Sequence, residues 1–290
     1  MLDRRAFLAG VAAVGLVGRA LADDSGEDRT AKALAAIGAS TGGRLGIAAL
    51  DTGNGQRIGL DAESRYALCS TFKVPLAAAV LARVAAGGLT LQTPLPFTDA
   101  DVLDYAPVVK QHLATRSLTV GEACAAAIEW SDNSAANLLL AQIGGPAGLT
   151  GFIRRAGDPV TRLDRIEPAL NIVPPGDERD TTTPAAMVGL MRTLLLGRVL
   201  RPVARQRLIG WMAACQTGKD KLRAGLPAGW RVGDKTGNSG DGKVNDIAIA
   251  WPPGRAPILI ACYLDAPGLS DAQVNAVHAG VAEVVAKTFG

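Results

Sequence analysis

The segment "CSTFK", residues 69–73, holds the first side chains in the sequence that could carry out covalent chemistry. Cys69 and Ser70 are candidate nucleophiles, and Lys73 follows Ser70 by three positions. If Ser70 begins a helix, Ser70 and Lys73 share one helix face, so the amine can reach the hydroxyl and accept its proton. Taken alone, a Ser-x-x-Lys pattern more often represents a helix-capping serine and a surface lysine. The pattern therefore needs support from other parts of the chain.

The histidines and two later motifs bear on which residue acts as the base for Ser70. The sequence contains only two histidines, His112 and His278, and neither lies in a recognisable motif. We expect each to be a surface or packing residue, so a Ser-His-Asp triad is not favoured and Lys73 is the local candidate base. Two further segments are "SDN" at 131–133 and "DKTG" at 234–237. Taken singly, the first could cap a helix and the second could form a turn at a strand edge.

Strand patterns lie at both ends of the chain, with helix patterns between and beside them. The predicted hairpins pair residues 44–50 with 56–60 and residues 246–251 with 257–264. Helices are predicted over 28–38, 71–86 and about 270–288, and the middle of the chain is mainly helical. This segregation indicates an α+β fold, with one antiparallel sheet of about five strands flanked by terminal helices and an all-helical subdomain beside it. We expect the active site in the cleft between them.

The N-terminus has the pattern of a signal peptide. Arg4 and Arg5 precede an apolar run from Ala6 to Gly18, and an A-x-A cleavage signal ends at Ala22. The run is too short to span a bilayer, and the arginine pair followed by Phe-Leu resembles a twin-arginine signal, with an ordinary Sec-type signal as the alternative. We expect residues 1–22 to be removed and the mature protein to lie in the periplasm.

Residues 23–290 are predicted to form one catalytic domain. Its sheet-containing subdomain is expected over about 23–65 and 215–290, and its helical subdomain over about 66–214. The formal charge of +3 approaches zero after cleavage, so it favours neither nucleic acid nor a membrane as a partner. We expect a monomer.

The four cysteines match no zinc or redox spacing, so neither a metal nor another cofactor is expected. Most should be small buried hydrophobic residues. They are Cys69, Cys124, Cys215 and Cys262.

The order Ser-x-x-Lys, Ser-Asp-Asn, Lys-Thr-Gly resembles the motif set of class A β-lactamases and penicillin-binding proteins. "RLDRIEPALN" at 162–171 and "DERDTTTP" at 177–184 resemble the omega loop of the class A branch, and we call residues 162–184 the omega loop. Arg165 and Asp180 fall where that family closes the loop with an ion pair. Shorter matches are "YAPV" at 105–108, "AAM" at 185–187 and "LRAGLPAGW" at 222–230. The resemblance covers essentially the whole mature chain.

This resemblance implies a serine acyl-enzyme mechanism on β-lactam antibiotics. Ser70 would attack the lactam carbonyl, and the backbone N–H groups of Ser70 and Asn238 would form the oxyanion hole. Glu167, together with Asn171, would hold the water that deacylates the enzyme and would act as its general base. Whether Lys73, or Glu167 through a water, deprotonates Ser70 stays open.

The resemblance also implies the residues that bind the substrate. Ser131, bridged to Lys73 and Lys235, would pass a proton to the leaving nitrogen. Lys235 and Thr236 would bind the substrate carboxylate, and Asn133 would bind the side-chain amide. The implied substrate-binding residues are Tyr105, Asn133, Lys221, Lys235, Thr236, Gly237 and Asn238.

The sequence departs from the family pattern at the carboxylate site. Many members place an arginine just past the K-T-G strand, whereas Val244 lies near that place here, and the last helix supplies no arginine either. Lys221 lies near the position from which some members supply this charge, with a surface lysine as the alternative. Ala169 replaces the usual acidic residue after Glu167-Pro168.

Two cysteines match positions that are disulfide-bonded in some relatives. The expected partners of Cys69 and Cys124 are Ser239 and Ala77 here, so neither bridge can form.

Two other functions share part of the pattern. A penicillin-binding D,D-peptidase has the Ser-x-x-Lys and K-T-G motifs but typically lacks the omega-loop glutamate. A non-hydrolytic β-lactam-binding sensor acylates without turning over. Glu167 and Asn171 favour the hydrolase over both.

Overall fold

The computed structural model describes residues 20–290, with side chains from Gly26 onward. Nearly all of the predicted signal peptide therefore lies outside the described residues. The helices are α1 Ala20–Ser40, α2 Lys73–Ala85, α3 Val120–Glu129, α4 Asn133–Gln142, α5 Gly145–Arg155, α6 Pro184–Leu195, α7 Pro202–Ala213, α8 Leu222–Gly225 and α9 Asp271–Phe289. The strands are β1 Arg44–Asp51, β2 Arg57–Leu60, β3 Tyr66–Ala67, β4 Pro94–Pro96, β5 Ser117–Thr119, β6 Thr181–Thr182, β7 Arg231–Asn238, β8 Lys243–Trp251 and β9 Ile258–Asp265.

The main sheet has five antiparallel strands in the order β2-β1-β9-β8-β7. Strands from the two ends of the chain meet where β1 pairs with β9, which confirms the predicted single antiparallel sheet and the α+β class. The K-T-G motif lies inside β7, so its interpretation as a turn is wrong. The register pairs Lys235 with Ile247 of β8, and this neighbour holds the motif in an extended conformation.

Both faces of the sheet are covered, which explains why β8 and β9 are apolar along most of their length. Alternate residues of a strand point to opposite faces. Ile247 and Ile249 pack with the central helices, whereas Ala248 and Ala250 pack with α9. The sheet thus separates two hydrophobic cores.

Helix α2 runs through the middle of the helical region. Its residues from Lys73 to Leu81 are all buried, and the run "VPLAAAVL" supplies small apolar side chains on every face. Because a helix that is apolar all round is stable only when surrounded by protein, this sequence places α2 at the centre of the larger core. Lys73 is the single charged residue in that run.

Within residues 20–290, no helix combines the length and hydropathy that a membrane crossing requires.

Candidate active site

Ser70 and Lys73 lie at the start of the central helix. Ser70 belongs to a single 3₁₀ turn, Cys69–Phe72, that leads directly into α2. Cys69 has a φ of 42°, in the left-handed region that few non-glycine residues adopt, so the chain turns sharply just before the serine. Lys73 Nζ donates a hydrogen bond of 2.9 Å to Ser70 Oγ. The i, i+3 relation expected from the sequence is therefore present.

The ammonium group of Lys73 is completely buried and has a carboxylate beside it. Its Nζ lies 3.1 Å from Glu167 Oε1, and Ser70 Oγ lies 3.5 Å from the same oxygen. Burial lowers the pKa of Lys73, and the nearby Glu167 charge opposes that shift. The three side chains form one cluster of contacting polar groups.

The S-D-N segment forms the other wall around Lys73. Lys73 Nζ donates to the carbonyl oxygen of Ser131 at 2.8 Å and to Asn133 Oδ1 at 2.6 Å. Asp132 is buried and caps α4 by accepting from Ala135 N at 2.9 Å. Its other oxygen accepts from the backbone N–H groups of residues 108 and 109, so the cap also anchors the loop after Tyr105.

The β7 strand closes the site on the third side. Lys235 Nζ donates to Ser131 Oγ at 2.9 Å, and Lys73 Nζ lies 3.4 Å from the same hydroxyl. Burial, followed by the charge of Lys73, lowers the pKa of Lys235 to about 8. Ser131 Oγ thus lies between two amines, as a proton relay requires.

Gly237 lets β7 approach the nucleophile closely. A Cβ at this position would lie 2.9 Å from Cβ of Cys69 and 3.1 Å from the backbone nitrogen of Ser70. The next residue, Asn238, ends β7 and lines the same cleft as Ser70. The two backbone positions expected to form an oxyanion hole are therefore brought to one cleft.

The omega loop brings Glu167 to the cluster from far along the chain. Glu167 Oε2 accepts from Asn171 Nδ2 at 2.7 Å. Asp180 closes the loop by accepting from Arg165 Nε at 2.5 Å and from the backbone N–H groups of Asp164 and Arg165. Both predicted omega-loop pairs are in contact.

The cleft has a volume of about 640 Å³ and an open mouth. Tyr105, which is half exposed, and Lys221 both line the cleft. Lys221 Nζ donates to Asn275 Oδ1 at 2.9 Å. Other predicted residues that line the cleft are Ser70, Ser131, Asn133, Asn171, Thr236, Gly237 and Asn238. Lys73, Glu167 and Lys235 lie buried behind this lining.

Comparisons with known proteins identify this arrangement. The model of the Beta-lactamase enzyme family matches residues 29–289. Beta-lactamase L2 of Stenotrophomonas maltophilia is 43% identical, over 100% of both chains. A carbapenem-hydrolyzing beta-lactamase, KPC, of Klebsiella oxytoca is 45% identical over 86% of this chain and 85% of its own.

Solved structures agree with the sequence relatives. An ancestral class A β-lactamase is 53% identical, with a TM-score of 0.88 over 90% of this chain and 100% of its own. The chain belongs to the class A β-lactamase family. A β-lactamase from Xanthomonas campestris pv. campestris is 50% identical, with a TM-score of 0.89 over 91% of this chain and 98% of its own.

As a class A β-lactamase, the protein is a hydrolase of β-lactams and a determinant of antibiotic resistance. The D,D-peptidase and sensor hypotheses receive no support from these relatives, which are all β-lactamases.

Two residues that contact the site of this β-lactamase belong to none of the sequence motifs and were not predicted. Asn137 brackets Glu167, because its Nδ2 donates to the Glu167 carbonyl at 2.9 Å and its Oδ1 accepts from the Glu167 N–H at 3.0 Å. Asn137 follows Asn133 by four positions on α4, so the two side chains share a helix face, and this spacing is the sequence pattern that indicates a place for Asn137 near the site. The hydroxyl groups of Thr217 and Thr236 are hydrogen-bonded at 2.6 Å. The residues around Thr217 in the sequence form no motif that would indicate this contact.

The cysteines and histidines have the structural roles expected of them. All four cysteines are buried and unpaired, which confirms the packing prediction. Burial raises the pKa of Cys69 to about 12, so its thiol does not compete with Ser70 as a nucleophile. His278 is fully buried on α9, and His112 lies in a short 3₁₀ turn away from the cleft lining.

Proposed function

We propose that Ser70 is the nucleophile of this β-lactamase and that Lys73 accepts its proton. Ser70 Oγ attacks the lactam carbonyl, the tetrahedral oxyanion is stabilised by the N–H groups of Ser70 and Asn238, and the C–N bond breaks to give an acyl-enzyme. Ser131 delivers a proton to the leaving nitrogen.

One observation carries this assignment: the buried Lys73 amine contacts the hydroxyl of Ser70 and the carboxylate of Glu167 at once, at 2.9 and 3.1 Å. A buried amine readily loses its proton, here to Glu167, and can then accept one from Ser70. Lys73 passes that proton through Ser131 to the leaving nitrogen, and Glu167 then returns its own proton to Lys73, so the carboxylate can act as a base again in deacylation. Ser70 Oγ lies closer to Lys73 Nζ, at 2.9 Å, than to Glu167 Oε1, at 3.5 Å, so the amine is the nearer proton acceptor.

We assign deacylation to Glu167 and Asn171. Water attacks the acyl carbon, Glu167 takes the proton from that water, and Ser70 regains its own proton as the acyl–oxygen bond breaks. The hydrogen bond from Asn171 Nδ2 fixes the carboxylate and supports this role, and the Arg165–Asp180 pair fixes the loop that carries both residues.

We assign substrate recognition to the cleft wall. Lys235 and Thr236 bind the carboxylate of the β-lactam, and Lys221 adds the positive charge that the family more often places on an arginine. Asn133 binds the side-chain amide, and Tyr105 packs against the substrate at the rim. The wall position of Lys221, with its amine held by Asn275, supports this assignment.

Replacing Glu167 tests the deacylation role. We expect Glu167→Ala to acylate with a chromogenic cephalosporin but to deacylate about 10²–10⁴-fold more slowly, because the water loses its general base. Mass spectrometry should detect a stable adduct on a peptide that contains Ser70.

Glu178→Ala is the matched control, since Glu178 is an exposed carboxylate of the same loop and does not line the cleft. It should turn over normally. If Glu167→Ala failed to acylate, or if the adduct formed on Cys69, the assigned roles would be wrong.

We further propose that residues 1–22 direct export through the twin-arginine route, and that the mature enzyme works as a periplasmic monomer. The Arg4-Arg5 pair and the short apolar run support export.

A further inference from the structure

Two buried carboxylates, Asp234 of β7 and Asp246 of the neighbouring strand β8, have no role in the proposed mechanism. Both are fully inaccessible to solvent. The register pairs Asp234 with Ala248 and Thr236 with Asp246, so the two carboxylates are diagonal neighbours on one face of β7 and β8. This face packs against α8 and α9 and lies opposite Lys235.

The two carboxylates have unequal partners. Asp234 Oδ1 accepts from Arg223 Nε at 3.0 Å and also contacts Arg223 Nη2, so the two side chains form a partly buried ion pair. Asp246 Oδ2 accepts one backbone N–H, that of Leu222, at 3.1 Å. Among the residues that the structure describes, no cation lies within ion-pair distance of Asp246. Asp234 Oδ2 and Asp246 Oδ1 have no hydrogen-bond partner.

The groups around Asp246 do not supply a counterion. The amine of Lys221 is directed to Asn275, and that of Lys235 is directed to Ser131 on the other face of the strand. Cys262 lies directly opposite Asp246 on β9, and burial raises the pKa of its thiol, so it is neutral.

His278, on α9, is neutral as well. Burial lowers the pKa of its imidazole to about 4. Arg223 is already matched by Asp234. An ionised Asp246 would therefore be a second buried negative charge without compensation, and this is strongly unfavourable.

We propose that Asp246 carries a proton in the folded enzyme and so adds no negative charge behind the carboxylate-binding wall. The pair then holds one negative charge, on Asp234, and Arg223 matches it. The positive charges of Lys235 and Lys221 therefore act on the substrate carboxylate without a second carboxylate behind them. This inference builds on the carboxylate-binding role proposed above for those two lysines.

The electrostatics of the pair agree with the geometry. Burial, and then the charge of Asp234, raises the pKa of Asp246 well above its usual value.

Titration of the enzyme labelled with ¹³C at its aspartate carboxyl carbons tests the protonation directly, without any reliance on turnover. One resonance should have the chemical shift of a protonated acid at pH 7, and it should be absent from Asp246→Asn. If the resonance that Asp246→Asn removes is that of an ionised carboxylate at pH 7, the proposal is wrong.

Kinetics of Asp246→Asn give a second test of the charge at this position. Asparagine has no charge and nearly the shape of a neutral aspartic acid, so KM for a cephalosporin at pH 7 should stay within about twofold of wild type, and the alkaline limb of the kcat/KM profile should not move. A tenfold rise in KM at constant kcat would overturn the proposal, because it would mean that a negative charge on Asp246 had been keeping Lys235 positively charged.

Stability gives a third measure. The folded pKa of Asp246 is raised, so its proton stabilises the folded enzyme fully below the unfolded pKa near 3.8, and this contribution is lost as pH rises through the folded pKa. Asp246→Asn should remove that pH dependence. Asp234→Asn, which leaves Arg223 unpaired, should lower the urea midpoint at pH 7 more than Asp246→Asn does. An equal fall in the urea midpoint of both variants would contradict the proposal that Asp234 is charged and Asp246 is neutral.

Discussion

Lys73 has no exposed surface, yet its amine contacts side-chain or main-chain oxygens of four residues, Ser70, Ser131, Asn133 and Glu167. A buried amine is tolerated only where such partners replace water. Three of these residues, Ser70, Ser131 and Glu167, also exchange protons in the proposed mechanism. At the scale of single residues, the chemistry thus depends on an amine that is buried and fully hydrogen-bonded.

The pKa of Lys235 sets an expected pH limit for substrate binding. Its value of about 8, lowered by burial and by the charge of Lys73, means that the amine loses its positive charge as pH rises through 8. The affinity for the substrate carboxylate should then fall, and kcat/KM should decrease by about tenfold per pH unit above that point. Steady-state rates from pH 6 to 10 would measure this limb.

Lys235→Arg is the matched variant for this prediction. Arginine keeps its charge throughout this pH range, so the alkaline limb should move to higher pH. An unchanged limb would mean that another group controls it.

The omega loop depends on one buried carboxylate. Asp180 is fully buried and accepts three hydrogen bonds, two from backbone N–H groups and one from the guanidinium of Arg165. Removing its charge leaves Arg165 unpaired inside the loop that carries Glu167. The ion pair therefore links the stability of an element to the position of the general base.

We expect Asp180→Asn to lower the free energy of unfolding by about 3 kcal/mol, as when one partner of a buried pair is lost. Deacylation should slow as well, because Glu167 loses its support. Urea titration and single-turnover kinetics would measure the two effects. Asp177→Asn, which breaks the more exposed pair with Arg179 in the same loop, should change little. A similar loss in both variants would contradict the special role of Asp180.

At the scale of the whole molecule, the sheet separates two hydrophobic cores, and all four cysteines are buried, Cys124 in one core and Cys262 in the other. Burial raises the pKa of Cys69 and of Cys124 to about 12 and removes both from solvent. Such thiols are unreactive while the protein is folded.

We therefore expect the native mature enzyme to react with no thiol reagent, and four thiols to react once it is unfolded in denaturant. A reductant should leave the melting temperature unchanged. Rapid labelling of a native thiol, or a lower melting temperature after reduction, would contradict the unpaired buried state.

Export acts on the whole chain and has its own test. Replacing both Arg4 and Arg5 by lysine keeps the positive charge that a Sec signal needs but removes the arginine pair that the twin-arginine route reads. The double variant should accumulate as uncleaved precursor in the cytoplasm, as followed by cell fractionation. Arg19→Lys, outside the pair, should be exported. Normal export of the double variant would exclude the twin-arginine route.

The sequence by itself determined the family and the α+β class and indicated the residues proposed to react, because these depend on local order. Ser70 and Lys73 are three positions apart, so helix geometry alone predicts their contact. The apolar runs of β8 and β9 predict strands in the same way. Motif order then assigned Ser131, Glu167 and Lys235 by resemblance.

Only the tertiary structure decided which residues of distant segments come into contact. The contact of Lys73 with Glu167, the support of Glu167 by Asn137 and the burial of Asp246 beside Asp234 join residues from different elements. No spacing rule predicts such contacts, since they arise from how the sheet and the helices pack. Burial, which lowers the pKa of Lys235 and leaves Asp246 without a counterion, exists only once that packing is complete.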